Sequence, residues 1–467
     1  MTSKHWALVG GAVACLSVIT VNAAPWTTVG DAYERHQLQR RVDSGSLNHT
    51  VTTWPVMKDS VGLARSNGLS AGLAISGSTE NEFITGYAGA ESQEGMLAAS
   101  AEYDGSWWAA GINAHLVANP SDDDAARLDG SYLALFPGNW VLGAGAVERW
   151  WGPGWQNSLI LSNNARPAPG VWLSRHRETP FETPWLSWLG PWQITATVSQ
   201  LEGEREVADP LLVGFRGTFR PVEGLDIGLT RTFIFGGDGR STSFSTFWDA
   251  FSGNDNPRDA EEDPSNQLGA VDVRYGFEVG EQTASVYGQM MGEDEAGGFP
   301  SRKSWLFGVD ATTSLWGREQ RWYLEGADTL ADNLFGSPME DIAYEHRVYR
   351  TGYRYKGRNL AASIDSDSQI LTLGYFDFLS NGSTVGASVS YVDFTGNPPS
   401  RVTVPDSDVT YFYPSRDQAV MLYGGFWEFG TEYGKVRLSG QIAEDKIAVR
   451  SRELDQWSLS ARWSYGF

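Results

Sequence analysis

Apolar and polar side chains alternate along the C-terminal segment of the chain. The apolar positions are Trp457, Leu459, Ala461, Trp463, Tyr465 and Phe467, and the positions between them are Ser458, Ser460, Arg462, Ser464 and Gly466. A period of two residues places the two sets on opposite faces of a β-strand. Because a tilted strand needs about 9–11 residues to cross a bilayer, the pattern predicts a membrane-spanning strand with one face toward lipid.

The same alternation recurs in other segments, among them residues 192–198, 305–311, 385–391 and 436–442. Strands that are apolar on one face and polar on the other are typical of a transmembrane antiparallel β-barrel, whose polar face lines the lumen. The terminal Phe467 resembles the last residue of the closing strand in bacterial outer-membrane barrels. The 20 Trp and 18 Tyr suit aromatic girdles at the two membrane interfaces. We therefore predict an all-β fold.

The number of strands follows from the connections between them. The pattern gives about nineteen candidate strands from about residue 82 to residue 467, but a barrel with both ends in the periplasm needs an even number. The tight connections lie on one side only if residues 331–368 form one long external excursion, which predicts about eighteen strands. External loops are then predicted near residues 119–126, 149–169, 203–209, 237–266, 294–303, 331–368, 396–416 and 448–454.

The N-terminal residues carry the features of a signal peptide. Lys4 precedes a mostly apolar stretch, and Val21-Asn22-Ala23 reads as a cleavage site of small residues. We predict residues 1–23 as signal peptide, 24–80 as a short periplasmic segment and 81–467 as the outer-membrane barrel. The periplasmic segment is predicted to form a short helix with Asp31 as N-cap and is a candidate plug for the lower mouth.

Composition and motifs exclude several classes of protein. A formal net charge of −22 argues against nucleic acid as a partner, because its recognition needs a basic surface. The sequence lacks the G-x-S-x-G, H-E-x-x-H, Walker and dinucleotide-binding motifs. Its six His are scattered and form no metal-binding pair. We predict no enzymatic activity, no catalytic residue, no cofactor and no metal site.

The predicted 149–169 loop contains the first candidate binding residues. Trp150, Trp151 and Trp155 flank a Gly-Pro-Gly turn, and Arg166 follows. Sugar rings stack on flat aromatic faces while nearby polar groups bond their hydroxyls, so this loop is a candidate polysaccharide site. The alternative is that these Trp pack a loop that folds inward, or lie in the interfacial girdle.

The predicted 237–266 loop contains a second candidate group. Its residues are Trp248, Asp249, Asn254, Asp255 and Asn256. They offer a stacking face and hydrogen-bonding groups for sugars, although Asn and Asp also build turns. Acids here and at residues 293–295 leave two further alternatives open, Ca²⁺ binding and glycoside hydrolysis through Asp255, Glu293 or Glu295. Residues 122–124 are predicted to be a solvated loop tip.

The predicted 331–368 loop differs from the rest of the acidic chain in its charge. Its cations are Arg347, Arg350, Arg354, Lys356 and Arg358, interleaved with Tyr349, Tyr353 and Tyr355. Guanidinium groups bind carboxylates in a bidentate manner, so Arg350, Arg354 and Arg358 are candidates for contacting an acidic polysaccharide. The alternative is that these cations pair with the acidic 237–266 loop, and both can hold.

Several blocks of the sequence resemble, in matching order, the Wzi capsule-assembly family. These blocks are 47–55, 149–155, 158–160, 166–167, 190–193, 247–249, 253–256, 266–268 and 287–297. The resemblance implies an eighteen-stranded outer-membrane barrel that acts as a non-enzymatic lectin for exported capsular polysaccharide. The segment before the barrel looks shorter here than the helical bundle of that family.

Three functions are weighed from these observations. The leading hypothesis is a lectin-like protein in the outer membrane of a Gram-negative bacterium, which binds capsular or extracellular polysaccharide and assists its assembly on the cell surface. The alternatives are a porin or sugar channel and an outer-membrane hydrolase. Expected partners besides the polysaccharide are outer-membrane lipids and the barrel assembly machinery, the latter through the strand that ends at Phe467.

Overall fold

The computed structural model describes residues 23–89, 93–252, 263–296, 299–394, 402–405, 408–450 and 452–467. The predicted signal peptide lies outside these residues except for Ala23. The candidates Asn254, Asp255 and Asn256 also lie outside them.

The described residues form a closed antiparallel barrel with eighteen strands in its wall. The strands are β1 Gly68–Ser78, β2 Gly95–Asp104, β3 Trp108–Ala118, β4 Ala126–Arg127 with Tyr132–Leu135, β5 Trp140–Gly145, β6 Gly170–Arg175, β7 Trp192–Gln200, β8 Leu211–Val222, β9 Leu225–Phe235, β10 Ser265–Val279, β11 Gln282–Ala296, β12 Phe299–Leu315, β13 Arg318–Asp328, β14 Ser368–Phe378, β15 Thr384–Phe394, β16 Gln418–Thr431, β17 Gly434–Ala443 and β18 Trp457–Gly466. The two pieces of β4 both pair with β3 and so count as one interrupted strand. The pairing of β1 with β18 closes the barrel.

The alternation that predicted the strands corresponds to the two faces of the wall. In β18, Leu459 is 58% exposed on the outside, whereas Ser460 is 7% exposed on the inside. The predicted number of strands is confirmed. The long excursion is confirmed as well, because β13 pairs directly with β14. The loop between them spans residues 329–367.

Two predicted boundaries are wrong. The barrel begins with β1 at Gly68, before the predicted boundary at residue 81, because this strand is rich in Gly, Ser and Ala and its alternation is weak. A further external loop, residues 79–94, follows β1. Residues 294–296 and 299–303 of the predicted 294–303 loop belong instead to β11 and β12. Acidic residues can extend a strand beyond the membrane because water solvates them there, so their charge does not mark a loop.

The N-terminal segment enters the barrel. Helix α1 spans Ala32–Asp43, and its N-cap Asp31 accepts a hydrogen bond from the backbone N–H of Glu34 at 2.9 Å. Asp43 pairs with Arg274 on the inner face of β10. Burial lowers the pKa of His36 in α1 to about 4, so this imidazole is neutral where it meets Glu319 of β13.

Residues 50–54 continue along the inner wall. The backbone N–H of Val51 donates to Asp226 at 2.9 Å, and Arg216 donates to the carbonyl oxygen of Thr52 at 2.8 Å. Thr53–Trp54 then pairs with Trp150–Trp151, which belong to an external loop that also folds inward. The N-terminal segment therefore packs against both the wall and this loop.

The remaining helices are short. Helix α2 spans Phe244–Ser252, and 3-10 turns lie at Lys58–Val61 and Ser187–Leu189. Among the described residues, no helix is long and apolar enough to cross a membrane.

Candidate functional site

The first predicted site residues lie in the core of the barrel. Trp150, Trp151 and Trp155 are at most 1% exposed and contact a buried apolar cluster that includes Trp54 and Tyr87. The interpretation that these three Trp present open faces for sugar is therefore wrong, and the alternative of an inward-folding loop describes their placement. Apolar side chains of this size gain more from burial in the lumen than from exposure at a loop surface.

Two polar side chains of the wall hold this inward-folded loop. The carboxylate of Glu325 accepts hydrogen bonds from the backbone N–H groups of Trp155 at 2.6 Å and Asn157 at 2.7 Å. Gln289 accepts from the backbone N–H of Leu159 at 2.7 Å and donates to the carbonyl oxygen of Trp151 at 3.0 Å. The loop backbone thus obtains inside the barrel the partners that water would otherwise provide.

Arg35 of α1 joins the N-terminal segment to this loop. Its guanidinium lies 4.1 Å from the ring centroid of Trp155 and 4.3 Å from that of Tyr87. It also donates to the carbonyl oxygen of Pro153 at 2.7 Å. These contacts combine cation–π attraction with a hydrogen bond in a site that excludes water.

The 329–367 loop covers the inward-folded loop from the external side. The hydroxyl of Tyr344 donates to the carbonyl oxygen of Leu159 at 3.0 Å, and that of Tyr353 donates to Ile160 at 2.9 Å. The N-terminal segment, the inward-folded loop and this loop form one continuous apolar core inside the wall. In the part of the chain that the structure describes, the lumen is therefore filled.

The cations of the 329–367 loop are mostly paired within the protein. Arg354 is fully buried against Asp365, with Nε donating at 2.9 Å. Arg358 is 7% exposed and donates to the carbonyl oxygen of Glu82 at 2.6 Å. Arg347 pairs with Asp263, which supports the alternative of pairing with the acidic loop. Neither Arg354 nor Arg358 is placed to contact an external polymer, whereas Arg350 is exposed.

Arg166 is the centre of a charged network at the external end. It donates to Asp129 and Asp122, each at 2.7 Å, and to Asp124 at 2.8 Å. Asp122 is only 2% exposed and also pairs with Arg127. The prediction of a solvated tip at residues 122–124 is therefore wrong for Asp122, because the nearby Arg127 and the distant Arg166 enclose it.

Trp248 and Asp249 lie on α2, outside the lumen. Phe233 and Phe235 share the outward face of β9 with Leu229, and α2 packs on them through Phe247. Trp248 is 53% exposed on this helix. Its position on the outer surface of the barrel suits contact with lipid rather than with a polymer held in the lumen.

Replacing Trp248 by Ala is expected to leave polysaccharide binding within about twofold of the wild-type value. The side chain lies on the opposite side of the wall from the clefts described below. Co-sedimentation with polysaccharide measures this directly. A loss of tenfold or more would show that α2 belongs to the binding site.

A cleft lies under the inward-folded loop at the external ends of β5, β6 and β7; we call it the upper cleft. Its lining residues include Glu148, Arg149, Ser162, Arg166, Trp172, Thr197 and Ser199. The guanidinium of Arg149 lies 5.2 Å from the ring centroid of Trp172. Burial lowers the pKa of Arg149 to about 10, so it remains a cation at neutral pH.

Arg149 differs from the other buried cations in its partners. Arg216 and Arg354 each pair with a carboxylate, whereas Arg149 makes no hydrogen bond or ion pair with the described residues. Its neighbour Glu148 is exposed to the upper cleft and likewise has no such partner there. The cleft thus presents a cation and hydroxyl groups to whatever enters it, while the ring of Trp172 is buried beside the cation.

A second cavity, the central cleft, lies between residues 82–89 and the inner faces of β14–β17. Its lining includes Trp155, Phe376, Ser388, Ser390, Phe426, Arg437, Ser439 and Gln441. Arg437 lies 4.0 Å from the ring centroid of Phe426 and donates to the carbonyl oxygen of Gly89 at 3.0 Å. Its cation is therefore already engaged by the chain itself.

The sequence did not single out Glu148, Arg149 or Trp172 as candidate site residues. Arg149 stands in the block that was singled out for its Trp residues. Trp172 occupies an inward position of β6, between the outward Val171 and Leu173. An aromatic residue on the otherwise small and polar inner face of a strand is the signal that could have found it.

These features define a class of protein: an outer-membrane β-barrel whose lumen is filled by its own chain and which retains polar, aromatic-lined clefts. The family model for capsule assembly protein Wzi matches residues 64–418, and the chain belongs to this family. It is accordingly an integral outer-membrane protein with its long loops on the extracellular side.

Two known proteins are similar to the chain. A Klebsiella pneumoniae protein described as an uncharacterized 55.8 kDa protein in the cps region is 32% identical over 329 residues, which cover 64% of this chain and 65% of that protein. The match thus spans just under two thirds of that relative. The solved structure of Escherichia coli Wzi has a TM-score of 0.79 at 24% identity and covers 95% of this chain and 100% of that chain. That protein is described as a carbohydrate-binding β-barrel involved in group 1 capsule assembly.

Proposed function

We propose that this barrel binds an exported capsular or extracellular polysaccharide in the upper cleft and assists its assembly on the cell surface. The observation that carries the proposal is Arg149, a cation beside the face of Trp172 that has no carboxylate partner among the described residues. A carboxylate of an acidic sugar would supply that partner. The description of the E. coli relative as carbohydrate-binding supports this chemistry.

Binding rather than catalysis is proposed. Asp255 and the side chain of Glu295, two of the three acids considered for hydrolysis, lie outside the described residues. The upper cleft presents Glu148 next to a cation, and this arrangement offers one carboxylate where glycoside hydrolysis uses a pair. Weak contacts along a repeating polymer add through effective concentration, so no cofactor is needed for useful affinity.

The proposal is tested by co-sedimentation of the detergent-purified chain with the surface polysaccharide of its own host, at low and high salt. We expect retention that falls as salt rises, because salt screens the charge of Arg149. Retention that does not depend on salt would show that aromatic faces, and not the charge of Arg149, hold the polysaccharide. No retention at either salt would contradict the proposal.

The competing function is a porin or sugar channel. Because the three segments described above fill the lumen, we expect no stable conductance steps when the chain is inserted into planar bilayers. Steady conductance proportional to electrolyte concentration would instead favour the channel. The same protein preparation serves both measurements, so the two functions are compared directly.

Binding of an acidic polymer is expected to weaken severalfold between pH 6 and pH 8. Desolvation by the protein atoms that enclose the cleft, followed by the charge of Asp129, raises the pKa of Glu148 to about 7. Glu148 is therefore neutral below that pH and becomes anionic above it, where it competes for Arg149 and repels a sugar acid. Replacing Glu148 by Gln should remove this dependence. An unchanged pH profile in that variant would contradict the assignment.

Two further partners are proposed. Outer-membrane lipids would contact the outward apolar face, including Leu229 and Trp248. The barrel assembly machinery would recognise β18 and the exposed Phe467, whose backbone N–H donates to the carbonyl oxygen of Ala71 at 2.9 Å in the closed barrel.

A further inference from the structure

Three carboxylates from the two ends of the 329–367 loop converge at its base. One oxygen from each of Asp341, Glu345 and Asp367 lies within 4.8 Å of the others. Asp341 and Glu345 belong to the first half of the loop, and Asp367 immediately precedes β14. The cluster therefore joins two parts of the loop that are distant in sequence.

Two of these carboxylates are buried with an oxygen that has no donor. Glu345 is 3% exposed and Asp367 is 4% exposed. Glu345 Oε1 accepts from Ser366 at 3.1 Å, and Asp367 Oδ2 accepts from the backbone N–H of Asp341 at 2.9 Å. Glu345 Oε2 and Asp367 Oδ1 have no hydrogen-bond partner among the described residues. Oxygens removed from water without a new partner are costly, so they point to a ligand.

No basic side chain among the described residues neutralises Glu345 or Asp367. Arg354 faces this cluster, but its Nε and Nη2 already donate to Asp365 in a fully buried pair. Neither Glu345 nor Asp367 forms an ion pair with a basic side chain of the described residues. A buried group of carboxylates in this state needs an external cation or bound protons.

The arrangement suits one hard divalent ion. Calcium binds oxygens at about 2.3–2.6 Å, so two oxygens on one ion lie at most about 5 Å apart. The three oxygens meet this condition, and a donor set of carboxylates alone favours Ca²⁺ over zinc or copper. The sequence predicted no metal site, because residues 341, 345 and 367 form no recognisable motif.

We propose that Asp341, Glu345 and Asp367 bind Ca²⁺ and that the ion fixes the base of the 329–367 loop. Tyr344, next to Glu345, donates to the carbonyl oxygen of Leu159 in the inward-folded loop. Holding Glu345 in place therefore also holds this contact over the lumen. The proposal does not depend on polysaccharide binding.

The test uses the full chain in detergent after treatment with EDTA. Calcium is titrated to about 5 mM, since extracellular calcium modules bind with Kd about 10⁻⁴–10⁻³ M. Binding is followed by calorimetry and by the midpoint of thermal unfolding. The variants are Glu345→Gln and Asp367→Asn. The matched control is Asp445→Asn, which removes one exposed carboxylate from another external loop.

We expect wild type and Asp445→Asn to bind calcium and to unfold several degrees higher with it, because a ligand that binds the folded state stabilises it. Glu345→Gln and Asp367→Asn should lose at least tenfold in affinity together with the thermal shift. Absence of calcium binding to the wild-type chain would overturn the proposal, and that measurement needs no variant to fold. Equal binding by all four proteins would also overturn it, because the ion would then lie elsewhere.

Discussion

Replacing Arg149 by Ala is expected to weaken binding of an acidic polysaccharide by about 10- to 100-fold. A hydrogen bond to a charged group contributes about 1.5–3 kcal/mol, and 1.4 kcal/mol corresponds to tenfold in affinity. Arg149 forms no ion pair with the described residues, so its loss leaves no paired carboxylate orphaned inside the protein. Affinity is measured by co-sedimentation or by calorimetry with polymer fragments.

The matched control for this prediction is Arg416→Ala. Arg416 is an exposed cation on another external loop, where it pairs with the exposed Glu453. Its removal changes the net charge equally but should leave affinity within about twofold, since exposed ion pairs contribute little. Equal losses of affinity in the two variants would show that the net charge of the protein matters and that Arg149 makes no specific contact. A neutral polymer should lose less affinity than an acidic one on Arg149→Ala, and equal losses would place the contact on Trp172.

Replacing Asp272 by Asn is expected to lower the free energy of unfolding by about 3–5 kcal/mol, because removal of one partner of a buried ion pair leaves the other charge uncompensated. Arg216 and Asp272 are fully buried, and Arg216 donates to the two carboxylate oxygens at 2.7 and 3.0 Å. Arg216 also binds Thr52 and Thr53, so the N-terminal segment loses a fixed anchor. Urea unfolding in lipid vesicles, followed by Trp fluorescence, measures the change.

Asp455→Asn is the control for the buried pair. Asp455 pairs with Lys446 at 3.1 Å, but both side chains are about half exposed. Water already solvates these charges, so the expected change is about 0–1 kcal/mol. A loss of similar size at Asp272 would mean that water reaches Arg216 inside the barrel and replaces the carboxylate.

The wall of the barrel could be predicted from the sequence because its rule is local. Side chains of β18 point alternately to lipid and lumen, and this constraint acts at every pair of neighbouring residues. The requirement for an even number of strands corrected the assignment of residues 331–368, the one segment in which alternation alone was misleading. Gly68–Ser78 was missed because small residues are compatible with both faces of a strand.

The interior could not be predicted in the same way. Whether Trp150 faces water or the lumen depends on Glu325 and Gln289, which are distant in sequence. Glu325 accepts hydrogen bonds from the backbone of the loop of Trp150, and Gln289 both accepts and donates them. Arg35 meets Trp155 only because α1 enters the barrel. Asp122 is buried because the distant Arg166 closes over it together with its neighbour Arg127. These are pairings between distant residues, and no periodicity in a single segment encodes them.

The wall is unequal in height, and this inequality affects how a polymer reaches the protein. Measured from its periplasmic turn, β6 has 6 residues, whereas β12 has 17. At about 3.3 Å per residue, β12 is longer by about 35 Å of strand. The extracellular rim therefore slopes down to the side formed by β5 and β6, where the upper cleft lies. A glycan bound in the proposed upper cleft would therefore reach it over this low side of the rim rather than over the longer strands.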